Sequence, residues 1–258
     1  MGSQLTLLQL TDTHLYADAD DRLAGVDTRA SFEAVLTQAL QHQVPDLLLL
    51  TGDLAQAPSV ATYALVEAIV SKRYQGPVIY LPGNHDDPRF APELFAKRTF
   101  ATDAANGWRV IGLNSRIPDA EGGRIDDAEL DWLQRQLDSA PEANLLISVH
   151  HPPLELGFCL DHGRIENGPQ LLALLAEDHR VRGLVHGHVH QAAASRIGEL
   201  LLLATPSTSV QFKPLSEKFA LDSNPPGCRW LHLKSDGGIE TRIERLPPGA
   251  FPATLAPV

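Results

Sequence analysis

Six short apolar runs, five of them ending in a polar motif built from histidine, aspartate or asparagine, constrain this chain more than any other feature. Leu5–Leu10 runs into Asp12-Thr13-His14, Leu47–Leu50 into Gly52-Asp53, and Val78–Leu81 into Gly83-Asn84-His85-Asp86. Leu145–Val149 runs into His150-His151-Pro152, and Leu184–Val185 into His186-Gly187-His188-Val189-His190, while Val110–Leu113 ends without such a motif. Short apolar runs bounded by turn residues read as buried strands. Between them lie helical patterns. Phe32, Val35, Leu36, Ala39 and Leu40 share one face of a helix starting near Thr28, and a second helix is expected from about Ser59 to Lys72. A third carries Leu130, Leu133 and Leu137 behind an Asp126-x-x-Glu129 pair that resembles a capping box. Strands alternating with helices predict an α/β fold with a parallel or mixed sheet flanked by helices. Ligands bind such sheets beyond the carboxyl ends of the strands, so motifs distant in sequence are expected to converge there. Glycines before Asp53, Asn84 and His188 suit a backbone that must turn sharply and approach an ion closely.

Beyond His190 the pattern changes to short strands and turns: Ala193–Ile197, Leu200–Ala204, Trp230–Leu233 and Ile239–Ile243, with Gly198 and Asp236-Gly237-Gly238 as turn signals. A chain of 258 residues fits one large unit, so residues 1–246 are read as a single domain. Residues 247–258, rich in Pro and Ala without periodicity, are expected to form an extended or mobile tail. The polar connections Asp18–Asp27 and Phe158–Gly168 lie beside motifs and are the candidates for shaping substrate access.

The motifs supply two aspartates (Asp12, Asp53), one asparagine (Asn84) and four histidines (His14, His150, His188, His190). That mixture of oxygen and imidazole donors, with no cysteine, suits two adjacent divalent or trivalent ions of iron, manganese or zinc. Asp53 is the natural shared ligand, with Asp12, His14 and His190 completing one ion and Asn84, His150 and His188 the other. His85 cannot readily follow its neighbour Asn84 onto the same ion, so it is assigned to the substrate, contacting a phosphoryl oxygen or protonating a leaving alkoxide. An unperturbed imidazole titrates near pH 6.5, which suits a general acid. Asp86 is expected to orient His85. Taken singly, Asp12-x-His14 and Gly52-Asp53 read equally well as turns, and His150-His151-Pro152 as a strand end closed by proline. Their number and order carry the reading.

Composition narrows the partners. With 21 Lys+Arg against 32 Asp+Glu the formal charge is −11, which argues against a nucleic-acid phosphate footprint. An anionic substrate then needs a local positive centre, which bound ions provide. Cys159 and Cys228 show neither metal-type pairing nor disulfide spacing, the N-terminus lacks a signal-peptide pattern, and no apolar run approaches the roughly 20 residues of a membrane span. A cytoplasmic location without membrane attachment is therefore expected. Ser207, Thr208 and Ser209 read as a polar loop, Arg116 as an exposed surface arginine and Cys159 as a small apolar loop residue. A metallo-β-lactamase type of dinuclear site is disfavoured, because His190 is followed by Gln191-Ala192 rather than by the Asp-His that its H-x-H-x-D-H run requires.

The ordered set D-x-H, G-D, G-N-H-D, a histidine-proline strand end and G-H-x-H, from Asp12 to His190, resembles the calcineurin-like metallophosphoesterase superfamily. That resemblance implies two packed mixed β-sheets flanked by helices in four α/β/β/α layers, with the strands after His190 completing the second sheet. It also implies the same assignment of ligands. The segment Leu203–Pro214, together with His186–Gln191, is similar to the bacterial class III 3′,5′-cyclic-AMP phosphodiesterases. This narrower likeness implies hydrolysis of cyclic AMP to 5′-AMP by attack of metal-bound hydroxide. The nucleotide phosphate would lie over the metals near His14, Asp53, Asn84, His85 and His190. The resemblance also allows a homodimer.

Overall fold

Leu47–Leu50 is apolar at every position because both faces of its strand are covered. In the computed structural model, which describes residues 4–102, 107–141 and 143–254, Leu48 and Leu50 join one core and Leu47 and Leu49 another. The same period-two division holds in the N-terminal strand, where Leu8 and Leu10 face one way and Leu5 and Leu7 the other.

The chain runs β1 (Gln4–Leu10), α1 (Thr28–His42), β2 (Leu47–Thr51), α2 (Val60–Arg73), β3 (Val78–Leu81), β4 (Thr99–Ala101), β5 (Trp108–Gly112), α3 (Asp127–Asp138), β6 (Asn144–Ser148), α4 (Gly168–Glu177) and β7 (Val181–His186). It continues through β8 (Ala193–Ile197), β9 (Leu200–Ala204), β10 (Gln211–Phe212), β11 (Leu221–Asp222), β12 (Gly227–Lys234) and β13 (Ile239–Arg245). One sheet has the order β13-β12-β1-β2-β3 and the other β4-β5-β6-β7-β9-β8, with β10 and β11 paired separately. β1, β2 and β3 are mutually parallel, as are β5, β6, β7 and β9, while β12 returns antiparallel to β1 and β8 to β9.

Three apolar layers hold this together. Leu7, Leu49 and Leu231 of the first sheet meet Val110, Leu146 and Leu203 of the second in the middle layer. Phe32, Leu36 and Val66 of α1 and α2 cover the outer face of the first sheet, and Leu133, Leu137, Leu171 and Leu175 of α3 and α4 cover the second. The four expected layers are therefore present, but the strands after His190 do not all complete one sheet: β8 and β9 extend the sheet of β5–β7, whereas β12 and β13 add antiparallel to β1 in the other. No helix among the described residues is long and apolar enough to cross a membrane.

Local signals set the element ends. Asp27 caps α1 by accepting from Ala30 N–H at 2.9 Å, and Ser59 caps α2 through Thr62 N–H at 3.1 Å, so α2 begins one residue after the expected start. Asp126 caps α3 through Glu129 N–H at 2.8 Å, but Glu129 does not complete the box; its carboxylate is drawn to the Arg98 guanidinium and to Asn114 N–H. The sequence pattern does not mark the short strands β4, β10 and β11 or the helix α4. Within the expected extended or mobile tail, Ala250 and Phe251 pack against the α1/α2 core, and Thr254 N–H donates to Ala24 O at 2.9 Å. Residues 255–258 of that segment lie outside the described residues.

Candidate metal centre

The carboxyl ends of β1, β2, β3, β6 and β7 point to one place, and the two sheets are tied together there. Gln9 donates to His186 O at 3.3 Å, and His150 Nδ1 bonds Thr51 O at 2.7 Å. Between them the backbone approaches so closely that a Cβ on Gly187 would run into Thr11 Oγ1 and the Asp12 carboxylate, which explains glycine at that position. The loops after the strands bend hard. Asp12, His14, Asp53, His188 and His190 all have φ between 48° and 67°, the left-handed region that side-chain-bearing residues rarely occupy. Strained backbone of this kind clusters where geometry serves function.

This backbone gathers the motif side chains. Asp12, His14, Asp53, His150 and His190 are buried, and Asn84, His85 and His188 are half-buried. His14 Nε2 and His190 Nε2 stand 3.1 Å apart, with His190 Nε2 3.3 Å from the Asp12 carboxylate and His14 Nε2 3.7 Å from that of Asp53. On the other side of Asp53, His150 Nε2 lies 3.4 Å from its carboxylate and 3.2 Å from Asn84 Oδ1. His188 Nδ1 lies 3.1 Å from Asn84 Oδ1 and 3.3 Å from His150 Nε2. Asp53 thus stands between two groups of donors.

Second partners fix which ring nitrogen faces inward. His190 Nδ1 bonds Val210 O at 2.8 Å, and His150 Nδ1 bonds Thr51 O, so each presents Nε2 to the cluster. Imidazole nitrogens and two carboxylates crowded together in a buried site need positive charge among them, from protons or from cations. The donor set therefore fits a pair of cations. The carboxylates already attract positive charge: burial opposes the charged form of His150, yet Asp53, and then Asp12, push its imidazole up to about 9. Burial dominates elsewhere, lowering His14 to about 3 and holding His188 well below the usual histidine range, which leaves both neutral and able to coordinate. Asp53 is held well below the usual carboxylate range, chiefly by His150, although burial acts the other way.

His85 differs from the other histidines. Its backbone N–H donates to Asp53 Oδ1 at 2.9 Å, and its ring meets that of His14 edge-on at 5.0 Å. Its ring nitrogens have no hydrogen-bond partner among the described residues. Asp86, expected to orient His85, makes no hydrogen bond to it among the described residues. The buried Asp86 carboxylate instead accepts from the N–H groups of Leu54, Ala55 and Gly83 at 3.0, 3.1 and 2.9 Å and from Tyr63 Oη at 3.0 Å. It staples the loop carrying Asp53 to the turn carrying Asn84. The backbone donors alone left by those turns explain the choice, since they need a buried acceptor and His85 does not. Burial and the Asp53 charge push Asp86 up to about 6 despite these bonds.

Other side chains support the cluster. The hydroxyls of Ser207 and Ser209 donate to Asp12 O at 2.8 and 2.9 Å, so the polar loop is a buried strut behind a donor. His151, inside a motif but given no role, packs 4.7 Å from His150 and 4.8 Å from His188 and bonds Ser115 Oγ at 2.7 Å. Arg116 is half-buried rather than exposed. Cys159 packs half-buried against a small apolar cluster, and both cysteines are free. Above the donors opens a cavity of about 420 Å³ whose floor includes His14, Asp53, Asn84, His85, His188 and His190. Both expected access loops reach it, through Leu23 and Ala24 and through Leu160, His162 and Gly163.

Residues 5–192, a span that holds every donor, match the family model of calcineurin-like phosphoesterases. The chain belongs to that family. Calcineurin-like phosphoesterases are hydrolases that use a dinuclear metal site, and the His/Asp clusters here fit one. Among curated members, the 3′,5′-cyclic adenosine monophosphate phosphodiesterase CpdA of Escherichia coli K12 is 38% identical over 262 residues, covering 96% of this chain and 92% of the relative. CpdA of Pseudomonas aeruginosa is 39% identical over 257 residues, covering 96% and 93%. The fold is shared with a dimetal phosphatase from Danio rerio at 13% identity and a TM-score of 0.60, covering 93% of this chain and 98% of that one. GAP50 of Plasmodium, at 11% identity and a TM-score of 0.65, covers 98% and 90% and shares the fold alone.

Proposed function

We propose that this chain hydrolyses 3′,5′-cyclic AMP to 5′-AMP at a dinuclear metal site. The similarity to CpdA phosphodiesterases over nearly the whole of both chains, with the His/Asp clusters gathered beneath one cavity, carries this reading. Asp12, His14, Asp53 and His190 would hold one ion and Asp53, Asn84, His150 and His188 the other, with iron, manganese or zinc suited to such donors. When bound, a pair of such ions activates water and neutralises phosphoryl charge.

The residues then divide the work. His14, Asp53, Asn84 and His190 line the cavity floor where a phosphate would rest, and His85 stands beside them with its ring nitrogens available to substrate. Attack of water on phosphorus breaks the P–O3′ bond and leaves the phosphate on O5′. His85 either gives its proton to the departing O3′ or holds a phosphoryl oxygen. Asp86 acts on neither atom; it positions the Asp53 and Asn84 backbone. The net charge of −11 supports a small anion bound at metals over nucleic acid. A cytoplasmic location and a homodimer belong to the same reading, and cell fractionation and light scattering test them.

A panel assay tests the proposal. Manganese-loaded protein should turn over cyclic AMP well above glycerophosphodiesters. Preferential cleavage of a glycerophosphodiester would move the activity to another small phosphodiester.

A further inference from the structure

The cavity has two chemically opposite parts. Its floor is the donor cluster, whereas much of its rim is apolar: Leu23, Leu160, Phe212, Phe219 and Leu221. Phe212 lies flat on the His190 ring, with 4.0 Å between centroids and 5° between planes, and Phe219 stands edge-on to Phe212 at 5.1 Å. Aromatic faces thus begin on a donor of the cluster and lead outward. Phe219 is 46% exposed beside a polar floor, an arrangement that contributes little to the core.

This rim is held in place before anything binds. Gln211 and Phe212 of β10 pair with Asp222 and Leu221 of β11, and Lys213 N–H donates to Ala220 O at 2.9 Å, so the hairpin is closed above and below Phe212. Cys159 N–H donates to Ser216 O at 2.9 Å, tying the hairpin to the loop that carries Leu160. None of the five rim side chains can donate, accept or titrate, so the hydrolytic step has no use for them. A concave site of about 420 Å³, within the roughly 300–1,000 Å³ of small-molecule pockets, takes a small ligand with one anionic and one flat apolar end.

We propose that Phe212, Phe219 and Leu221, with Leu160 beside them, form a shelf for the nucleobase of the substrate while its phosphate lies over the donor cluster. This inference rests on the cyclic-nucleotide reading above. Every nucleobase has a π face, so an aromatic shelf selects nucleotides over glycerol or alkyl esters without separating adenine from guanine.

Calorimetry on manganese-loaded protein with 5′-AMP, ribose 5-phosphate and inorganic phosphate tests the shelf, alongside cyclic AMP turnover by the same preparation. The wild type should bind 5′-AMP at least about tenfold more tightly than ribose 5-phosphate, as expected for one base–aromatic contact. Phe219→Ala should remove most of that gap and leave ribose 5-phosphate affinity as it was, while Phe219→Trp should restore it. Unchanged ribose 5-phosphate binding also shows that the variant is folded. A wild type that turns over cyclic AMP but binds both ligands equally, or a Phe219→Ala variant that keeps the gap, overturns the shelf alone. A wild type that cleaves an aryl diester but not cyclic AMP overturns the reading beneath it.

Discussion

Replacing Asp86 separates what its position beside His85 suggests from what its contacts do. The carboxylate satisfies three buried backbone N–H groups and the Tyr63 hydroxyl at 2.9–3.1 Å. In Asp86→Ala those three N–H groups lose their acceptor, each worth about 1–3 kcal/mol when left buried and unpaired. Entry of water and relaxation recover part of this, leaving an expected loss of about 3–5 kcal/mol, the size measured when buried networks are broken. At about 2–4 °C per kcal/mol for a domain of this size, Tm should fall by roughly 6–20 °C. Tyr63→Phe, which removes one donor to Asp86 and the acceptor of Asp87 N–H at 2.8 Å, should fall by less. Thermal unfolding followed by circular dichroism, with chelator and again with manganese, keeps metal stabilisation out of the comparison. Orientation of His85 by Asp86 would give the opposite pattern. A variant within about 2 °C of wild type whose turnover loss grows as the leaving group worsens would refute the structural reasoning.

Three further outcomes follow from the geometry. Asp53→Ala should lower bound metal below two ions per chain by elemental analysis, because its carboxylate stands between both donor groups; two ions retained would remove it from the shared position. His85→Ala should keep both metals while turnover falls by about 10²–10⁴, less for an activated aryl diester than for cyclic AMP; equal losses on the two would assign His85 to holding phosphate instead. Ser207→Ala with Ser209→Ala should reduce stability by about 1–3 kcal/mol in denaturant unfolding, whereas either change alone should do less, since both hydroxyls serve Asp12 O.

Most of what positions the site was legible because strand periodicity and strand ends are local properties. Leu47–Leu50 announced a strand covered on both faces, and each motif followed such a run, so convergence needed only parallel strands. The seven donors group by side-chain chemistry alone. What escaped was non-local or conformational. In α4 the run Leu171-Leu172-Ala173-Leu174-Leu175 is apolar on all sides, and its Asn167 cap makes no side-chain bond to the helix, so neither stripe nor cap marked it. The left-handed backbone at Asp12, His14, Asp53, His188 and His190 leaves no trace in hydrophobic periodicity, although Asp and His adopt it more readily than most side-chain-bearing residues. Asp86 misled because adjacency in sequence suggested contact, while unpaired N–H groups from two distant turns claimed its oxygens. The strut from Ser207 and Ser209 to Asp12 depends on the fold returning through β9 to the end of β1, which no local pattern reveals.

Cyclic AMP turnover during stepwise return of manganese to chelated protein, with the product resolved by chromatography, tests the central claim most directly. Activity should be absent after chelation, return as the second ion per chain binds, and yield 5′-AMP alone. Turnover that survives chelation with no metal detected, or a protein carrying two ions that leaves cyclic AMP intact, would contradict the account.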